Sequence, residues 1–296
     1  MIGVGFTLQP EQETLDLLDQ VIHEEVDYYE VAPETLWRST SDGRLSANGY
    51  HKRFAELKAA TGRPFVAHGV GISLGTSAPQ DRARRDRWLK QLQEDQKTFQ
   101  FRWYTDHLGA TSLSGMAVTL PIPLPMTASA AAIVRRRLRT MQRVVPAVGV
   151  ENNVAYFVLG DALEEPGFLG DCLRERGTHL LLDLHNLYTM SVNFGFDPDV
   201  YLARLDLRRV IEIHLSGGNW SEGAWLPSRR VMRLDSHDSD VPDEVWRLFE
   251  KVWPRCPRLK GVTLERMEGT VTEADVPRIR GELRRIRRML EVACLW

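Results

Sequence analysis

The 296-residue chain is 43% hydrophobic and 26% charged, an ordinary globular composition with enough apolar residues to bury a large core. Its formal net charge of −2 excludes a bulk electrostatic attraction to nucleic acid or to an anionic membrane. No apolar run is long enough to span a bilayer, the opening MIGVGFTLQPEQ is not a signal peptide, and Cys172, Cys256 and Cys294 share neither metal-site spacing nor a disulfide pattern, so a cytoplasmic protein is expected.

In chain order, residues 2–6 are a short apolar run, and 10–24 carry helical spacing through Leu15, Leu18, Val21 and Ile22. A strand at 28–31 precedes a helix at 50–60 and a strand at 64–67 that ends at His68. A highly charged helix at 81–96 leads to a strand at 101–104 ending at Asp106 and His107. An Arg-rich helix at 129–144 leads to a strand at 147–150 ending at Glu151. A helix at 167–176 then leads into HLLLDLHNLYTMSVNFGF at 179–196, where three leucines run into Asp183, His185 and Asn186. Side chains alternate across a strand, so this reading places Asp183 and His185 on one face. A helix at 199–205, a strand at 210–213 carrying Glu212 and His214, a helix at 242–252, a strand at 261–264 ending at Glu265 and a basic helix at 273–292 complete the series. The Pro-rich stretch at 119–127 reads as a rigid loop over the mouth, and Gly69, Gly71 and Gly75 as permitting tight turns.

Eight strands alternating with eight helices predict the α/β class and a single (β/α)8 TIM barrel over 1–296. A doubly wound open sheet is the alternative, but GVGF after the start lacks the third glycine of a dinucleotide-binding turn.

In such a barrel the carboxyl ends of the strands converge on one face. They deliver His68, His107, Glu151, Asp183, His185, His214 and Glu265, and the loop after the seventh strand adds Asp235 and His237. His23 and His51 lie on helices outside this set, and His179 begins a strand at the opposite end. A single buried Asp–His pair is more often a satisfied structural pair. A recurring series of imidazoles and carboxylates is costly unless cations neutralise it. Nitrogen and oxygen donors without thiolate suit Zn, Mn or Fe, and there are more ligands than one ion can use.

The motifs VAHGVGISLG, YTDHL, GVENNVAYF, LLLDLHNLY, NFGFDP, EIHLSGG, DSHDSDVPDEVW and TLE, in this order, resemble the multinuclear non-haem iron-dependent oxidases (MbnB/TglH/ChrH-like), formerly a domain-of-unknown-function family. The resemblance runs from the first strand to Glu265. It implies a barrel similar to xylose isomerase and endonuclease IV, two or three iron ions, and molecular oxygen as co-substrate. It implies a residue of a ribosomally synthesised precursor peptide, often cysteine, as target, and a separate partner protein that binds the peptide leader. Carried across, the metal ligands are His68, His107, Glu151, Asp183, Asn186, His214, Asp235, His237 and Glu265, with Glu151 bridging. Glu151, Asp183, His214 and Asp235 are the expected catalytic residues. Phe194 stands where the family usually has histidine, which removes a donor; His185 is the candidate to compensate, and two ions are expected, with a third only if His185 holds it.

The expected function is therefore iron- and O2-dependent oxidation of a peptide side chain, with no nucleic acid or membrane as partner. The barrel uses up the chain, so leader binding is expected from another protein. The alternatives are a Zn- or Mn-dependent hydrolase or isomerase of the same barrel class, and a non-catalytic metal-binding protein.

Overall fold

The strands of this protein carry two kinds of side chain on their two faces, and the apolar kind faces outward. In the computed structural model, which describes residues 2–113 and 116–292, the strands are β1 (Gly3–Thr7), β2 (Tyr28–Val31), β3 (Trp37–Ser39), β4 (Leu45–Ala47), β5 (Phe65–Gly69), β6 (Tyr104–His107), β7 (Ala110–Leu113), β8 (Met116–Ile122), β9 (Val148–Glu151), β10 (Thr178–Asp183), β11 (Val210–Leu215) and β12 (Gly261–Leu264). Eight of them close into a parallel barrel in the order β1-β2-β5-β6-β9-β10-β11-β12. Two antiparallel hairpins, β3–β4 and β7–β8, lie outside it. The helices are α1 (Gln12–Leu17), α2 (Asp19–Glu24), α3 (Gly49–Thr61), α4 (Arg82–Phe99), α5 (Ala128–Met141), α6 (Glu165–Cys172), α7 (Leu184–Phe194), α8 (Pro198–Arg204), α9 (Asp243–Val252) and α10 (Val276–Val292). The expected TIM barrel is present.

Val4, Phe6, Val31, Phe65, Ala67, Val148, Val150, Leu180, Leu182, Ile213, Leu215, Val262 and Leu264 are buried in one cluster with the helix residues Leu92, Leu138, Phe249 and Ile286. This strand–helix layer is the main core. The barrel lumen instead holds polar groups together with a small separate cluster of Tyr28, Val66, Trp103 and Ile211. Tyr28 Oη reaches across to Glu212 Oε1 at 2.9 Å and to Thr263 Oγ1 at 2.6 Å, and Trp103 Nε1 donates to Glu212 Oε2 at 2.5 Å. A Cβ at Gly5 or Gly261 would collide with the Tyr28 ring, so these glycines make room for it.

Four expectations need correction. The helix predicted at 10–24 breaks at Leu18, whose φ of −96° and ψ of 2° end α1 before α2 begins. The stretch expected to be a loop from residue 119 is strand as far as Ile122, paired with β7. Gly69, Gly71 and Gly75 are needed for space, since a Cβ would meet Tyr104 and Asp106, Glu34, and Leu124 respectively. The left-handed backbone in that loop belongs to Ser73, at φ 61°. Finally, β10 ends at Asp183, and His185 lies in the first turn of α7. Asp183 and His185 are therefore not alternating neighbours on a strand. Cys172 and Cys256 are buried free thiols, each pushed up to about 12 by burial; Cys294 lies outside the described residues. No helix of the described residues is long and apolar enough to cross a membrane.

Candidate metal centre

Parallel register sets the height of the site. His107 pairs with Glu151, Leu181 with Glu151, and Asp183 with His214, which pairs with Thr263. The polar side chains thus sit in rings at the carboxyl end of the lumen. Asp183 is held from two directions. Its Oδ1 accepts from Asn186 N at 2.7 Å and caps α7. Its backbone N–H and C=O are taken by the Asn152 side chain, at 2.8 and 2.9 Å. Asn153 does the same on the other side, accepting from Leu108 N at 3.1 Å. The run Glu151-Asn152-Asn153 therefore latches β9 to both neighbouring elements.

All ten residues expected at the site come together. His68 Nε2 and His107 Nε2 lie 3.3 and 3.2 Å from Glu151 Oε2. Asn186 Nδ2 donates to Glu151 Oε1 at 3.0 Å. His214 Nδ1 lies 3.0 Å from Glu265 Oε2, and the His68 and His214 rings are 5.1 Å apart. His237 Nε2 is 3.9 Å from Glu265 Oε2 and 2.8 Å from Asp235 Oδ1, which also receives His185 Nδ1 at 2.8 Å. His237 adopts a left-handed backbone, φ 51°, an uncommon conformation for histidine that the surrounding loop must hold in place.

The donor groups differ in whether they are satisfied. Glu151 Oε2, Asp183 Oδ2, Asn186 Oδ1 and His214 Nδ1 are buried with no hydrogen-bond partner. The short His68–Glu151, His107–Glu151 and His214–Glu265 separations therefore lack hydrogen-bond geometry. Nitrogen and carboxylate atoms that approach so closely without hydrogen-bond geometry fit a cation placed between them, a metal ion or, in its absence, protons on the imidazoles. Three sets of donor atoms lie within 4.8 Å of one another: His68, Glu151 and His214; Glu30, His214 and Glu265; Asp183, His237 and Glu265. The nitrogen and oxygen donor set fits Fe, Zn or Mn.

The electrostatics agree with this. Burial, reinforced by Glu151, Asp235 and Glu265, pushes the Asp183 carboxyl well above its usual range. Burial also opposes ionisation of Glu151 and Glu265, yet His107 and His68 hold Glu151 below its usual value, and His214 and His237 hold Glu265 down to about 2. Against the opposing effect of burial, Glu151 raises His68 to about 9 and Asp235 raises His237 to about 10. Without a metal, protons on the imidazoles neutralise the carboxylates; a metal would take their place.

Two residues at the site escaped the sequence reading. Glu30 is fully buried in β2 and meets His214 Nε2 at 3.0 Å. The signal was a lone carboxylate in the otherwise apolar and aromatic Tyr-Tyr-Glu-Val strand. Arg233 is 7% exposed, stacks over Tyr188 and Trp220 at 5.5 and 5.6 Å, and places Nη2 3.3 Å from His185 Nε2. Nothing in its local sequence distinguishes it. His185 thus has both ring nitrogens engaged, by Asp235 and by Arg233. The side chain of Asn193, next to Phe194, is bound to the Arg233 backbone at 2.8 and 2.9 Å.

Among solved structures, a D-tagatose 3-epimerase-like protein is similar over 96% of this chain and 98% of its own, at 13% identity and a TM-score of 0.60. Endonuclease IV from Thermus thermophilus is similar over 98% and 99%, at 17% identity and a TM-score of 0.52. At these identities the likeness establishes the fold alone, a xylose isomerase-like TIM barrel. In sequence, a UPF0276 protein of Pseudomonas aeruginosa is 34% identical over 243 residues, 81% of this chain and 78% of the relative. A UPF0276 protein of Caulobacter vibrioides is 35% identical over 189 residues, 63% of each chain. The model of one family, described as RiPP precursor modification enzyme MbnB/TglH/ChrH (RiPP, ribosomally synthesised and post-translationally modified peptide), matches residues 1–291, and this chain belongs to that family.

Proposed function

We propose that the chain is a multinuclear non-haem iron- and O2-dependent oxidase that modifies a residue, cysteine foremost, of a ribosomally synthesised precursor peptide. Family membership supports the substrate class. The observation that carries the metal reading is the set of buried, unbonded lone pairs on Glu151, Asp183, Asn186 and His214.

Two ions are proposed. His68, His107 and Glu151 would hold one, and Asp183, Asn186, His237 and Glu265 the other, with His214, close to both Glu265 and His68, and Glu151 at the junction of the two groups. Bound iron would supply one-electron chemistry toward dioxygen and a Lewis-acidic position for a soft donor such as a cysteine thiolate. The chain's own residues do the rest. Asn186 fixes Glu151 Oε1, which leaves Oε2 facing His68 and His107. Asp235 Oδ1 meets both His237 and His185 at 2.8 Å, which fixes the His237 ring and keeps the Asp235 carboxyl ionised. Burial of Asp183, His214 and Glu151 keeps water from the reacting atoms. His185 is engaged on both nitrogens, so we assign it to holding Asp235. A separate protein that binds the peptide leader is proposed as partner.

The same donor set suits Zn or Mn, which keeps a hydrolase or isomerase as the rival. Anaerobically purified protein, analysed for metal and then exposed to oxygen with a cysteine-bearing precursor peptide, separates them. Bound iron and peptide-dependent oxygen consumption are expected. Bound zinc with phosphoesterase activity and no oxygen uptake overturns the oxidase.

A further inference from the structure

His214 lies between two acids, and its two nitrogens are in different situations. Nε2 is 3.0 Å from Glu30 Oε2 in hydrogen-bond geometry. Nδ1 is 3.0 Å from Glu265 Oε2 but has no hydrogen-bond partner. An ionised carboxylate can only accept, so the nitrogen bonded to Glu30 is the one that carries hydrogen. Nδ1 is then the nitrogen that faces the unbonded oxygens of the centre, and it becomes available to a metal once any proton on it is displaced.

Two buried acids could have served Nε2, and their contacts distinguish them. Glu212 is 3.9 Å away, and its oxygens are saturated by Tyr28, Thr263 and Trp103. Glu30 is nearer, and its second oxygen is anchored by Thr7 Oγ1 at 2.7 Å. Both oxygens of Glu30 therefore have partners within the barrel, whereas Glu151 and Asp183 each keep an unbonded one. Glu30 is built to hold an imidazole.

We infer that Glu30 is a positioning residue: anchored by Thr7, it fixes His214 with hydrogen on Nε2 and so presents Nδ1 to a divalent metal ion. The inference rests on the metal centre proposed above and adds a residue that acts through His214. Buried carboxylates that orient metal-binding histidines raise ligand basicity, and losing one typically costs about 10- to 100-fold in metal affinity.

The test is anaerobic titration of full-length protein with ferrous ion alone, against a competing chelator, reading equivalents bound and affinity separately. Glu30→Gln should bind the same number of equivalents as wild type, about 10- to 100-fold more weakly. Thr7→Val removes only the anchor and should weaken affinity in the same direction by less, while Thr7→Ser, which keeps the hydroxyl, should restore it. Loss of a whole equivalent in Glu30→Gln would make Glu30 a ligand and overturn the inference, as would wild-type affinity. If Glu30→Gln does not fold, the Thr7 pair decides: equal affinities for Thr7→Val and Thr7→Ser overturn it. Wild-type protein that takes up no metal overturns the centre itself, an outcome read before any variant is made.

Discussion

The mouth of the barrel has two sides that differ in how their polar groups are satisfied. On one side, His68, His107, Glu151, Asp183, Asn186, His214 and Glu265 are packed closely, yet four of their atoms are buried without partners. On the other, His185, Asp235 and Arg233 are joined by contacts of 2.8 and 3.3 Å, and His237 stands between the two sides, 2.8 Å from Asp235 Oδ1 and 3.9 Å from Glu265 Oε2. Proximity is the same on both sides; only the first leaves lone pairs unused. An unmatched buried acceptor costs roughly 1–3 kcal/mol, more if charged, so such a cluster persists where a ligand compensates it. The second side supplies its own cation, the Arg233 guanidinium, stacked between Tyr188 and Trp220. That cation weighs against a further metal beside His185.

The largest effect is expected at Glu151, where the two proposed ions meet. Glu151→Gln should fold, lose metal equivalents and lower peptide-dependent turnover on the order of 10²- to 10³-fold, the scale of removing one charge-stabilising group. Full metal content in purified Glu151→Gln protein would remove the bridging role and with it the contrast between the two sides.

Chelation comes next. If the unbonded lone pairs await a metal, the loaded protein at a metal concentration 100 times Kd should be about 2.7 kcal/mol more stable than the stripped protein. Thermal melts with and without chelator measure it, and superimposable melts would mean that the cluster is satisfied without an ion.

Acidity should sharpen the contrast. In the metal-free protein His68 titrates near 9 and His237 near 10, so a metal must displace protons at neutral pH. Apparent affinity should rise with pH, up to about tenfold per unit for each proton displaced, and level off above these values. The stability link runs the other way. Both histidines are raised above the ordinary 6.5, so their contribution to the metal-free fold is complete below about 6.5 and is lost as pH rises through 9 to 10. Affinity that is flat between pH 6 and 9 would show that neither imidazole binds the metal.

The smallest effect belongs to His185. Because both its nitrogens already have partners, His185→Gln should keep every metal equivalent and change affinity by less than about tenfold, the lower bound for losing an orienting group. Loss of one equivalent would instead make His185 a ligand and reopen the third site that Phe194 closes in the present reading.

The alternation of eight apolar runs with amphipathic helices settled the barrel, because period and length are local properties that a chain displays before it folds. The same alternation placed His68, His107, Glu151, Asp183, His214 and Glu265 at one end, since parallel strands in a closed barrel must share a carboxyl face. Local reading failed where register or distance decided. Alternation alone reads His185 as a strand residue, but Asp183 caps α7 through the Asn186 amide and the helix begins at Leu184, one residue before His185. Glu30 and Arg233 meet His214 and His185 from 184 and 48 residues away, separations at which no pattern in the chain can report a contact. The sequence by itself thus determined the fold and most of the donor groups that reach the mouth, Glu30 and Arg233 excepted. Only the tertiary structure decided which lone pairs are left unbonded there, because saturation depends on partners that closure of the barrel brings together.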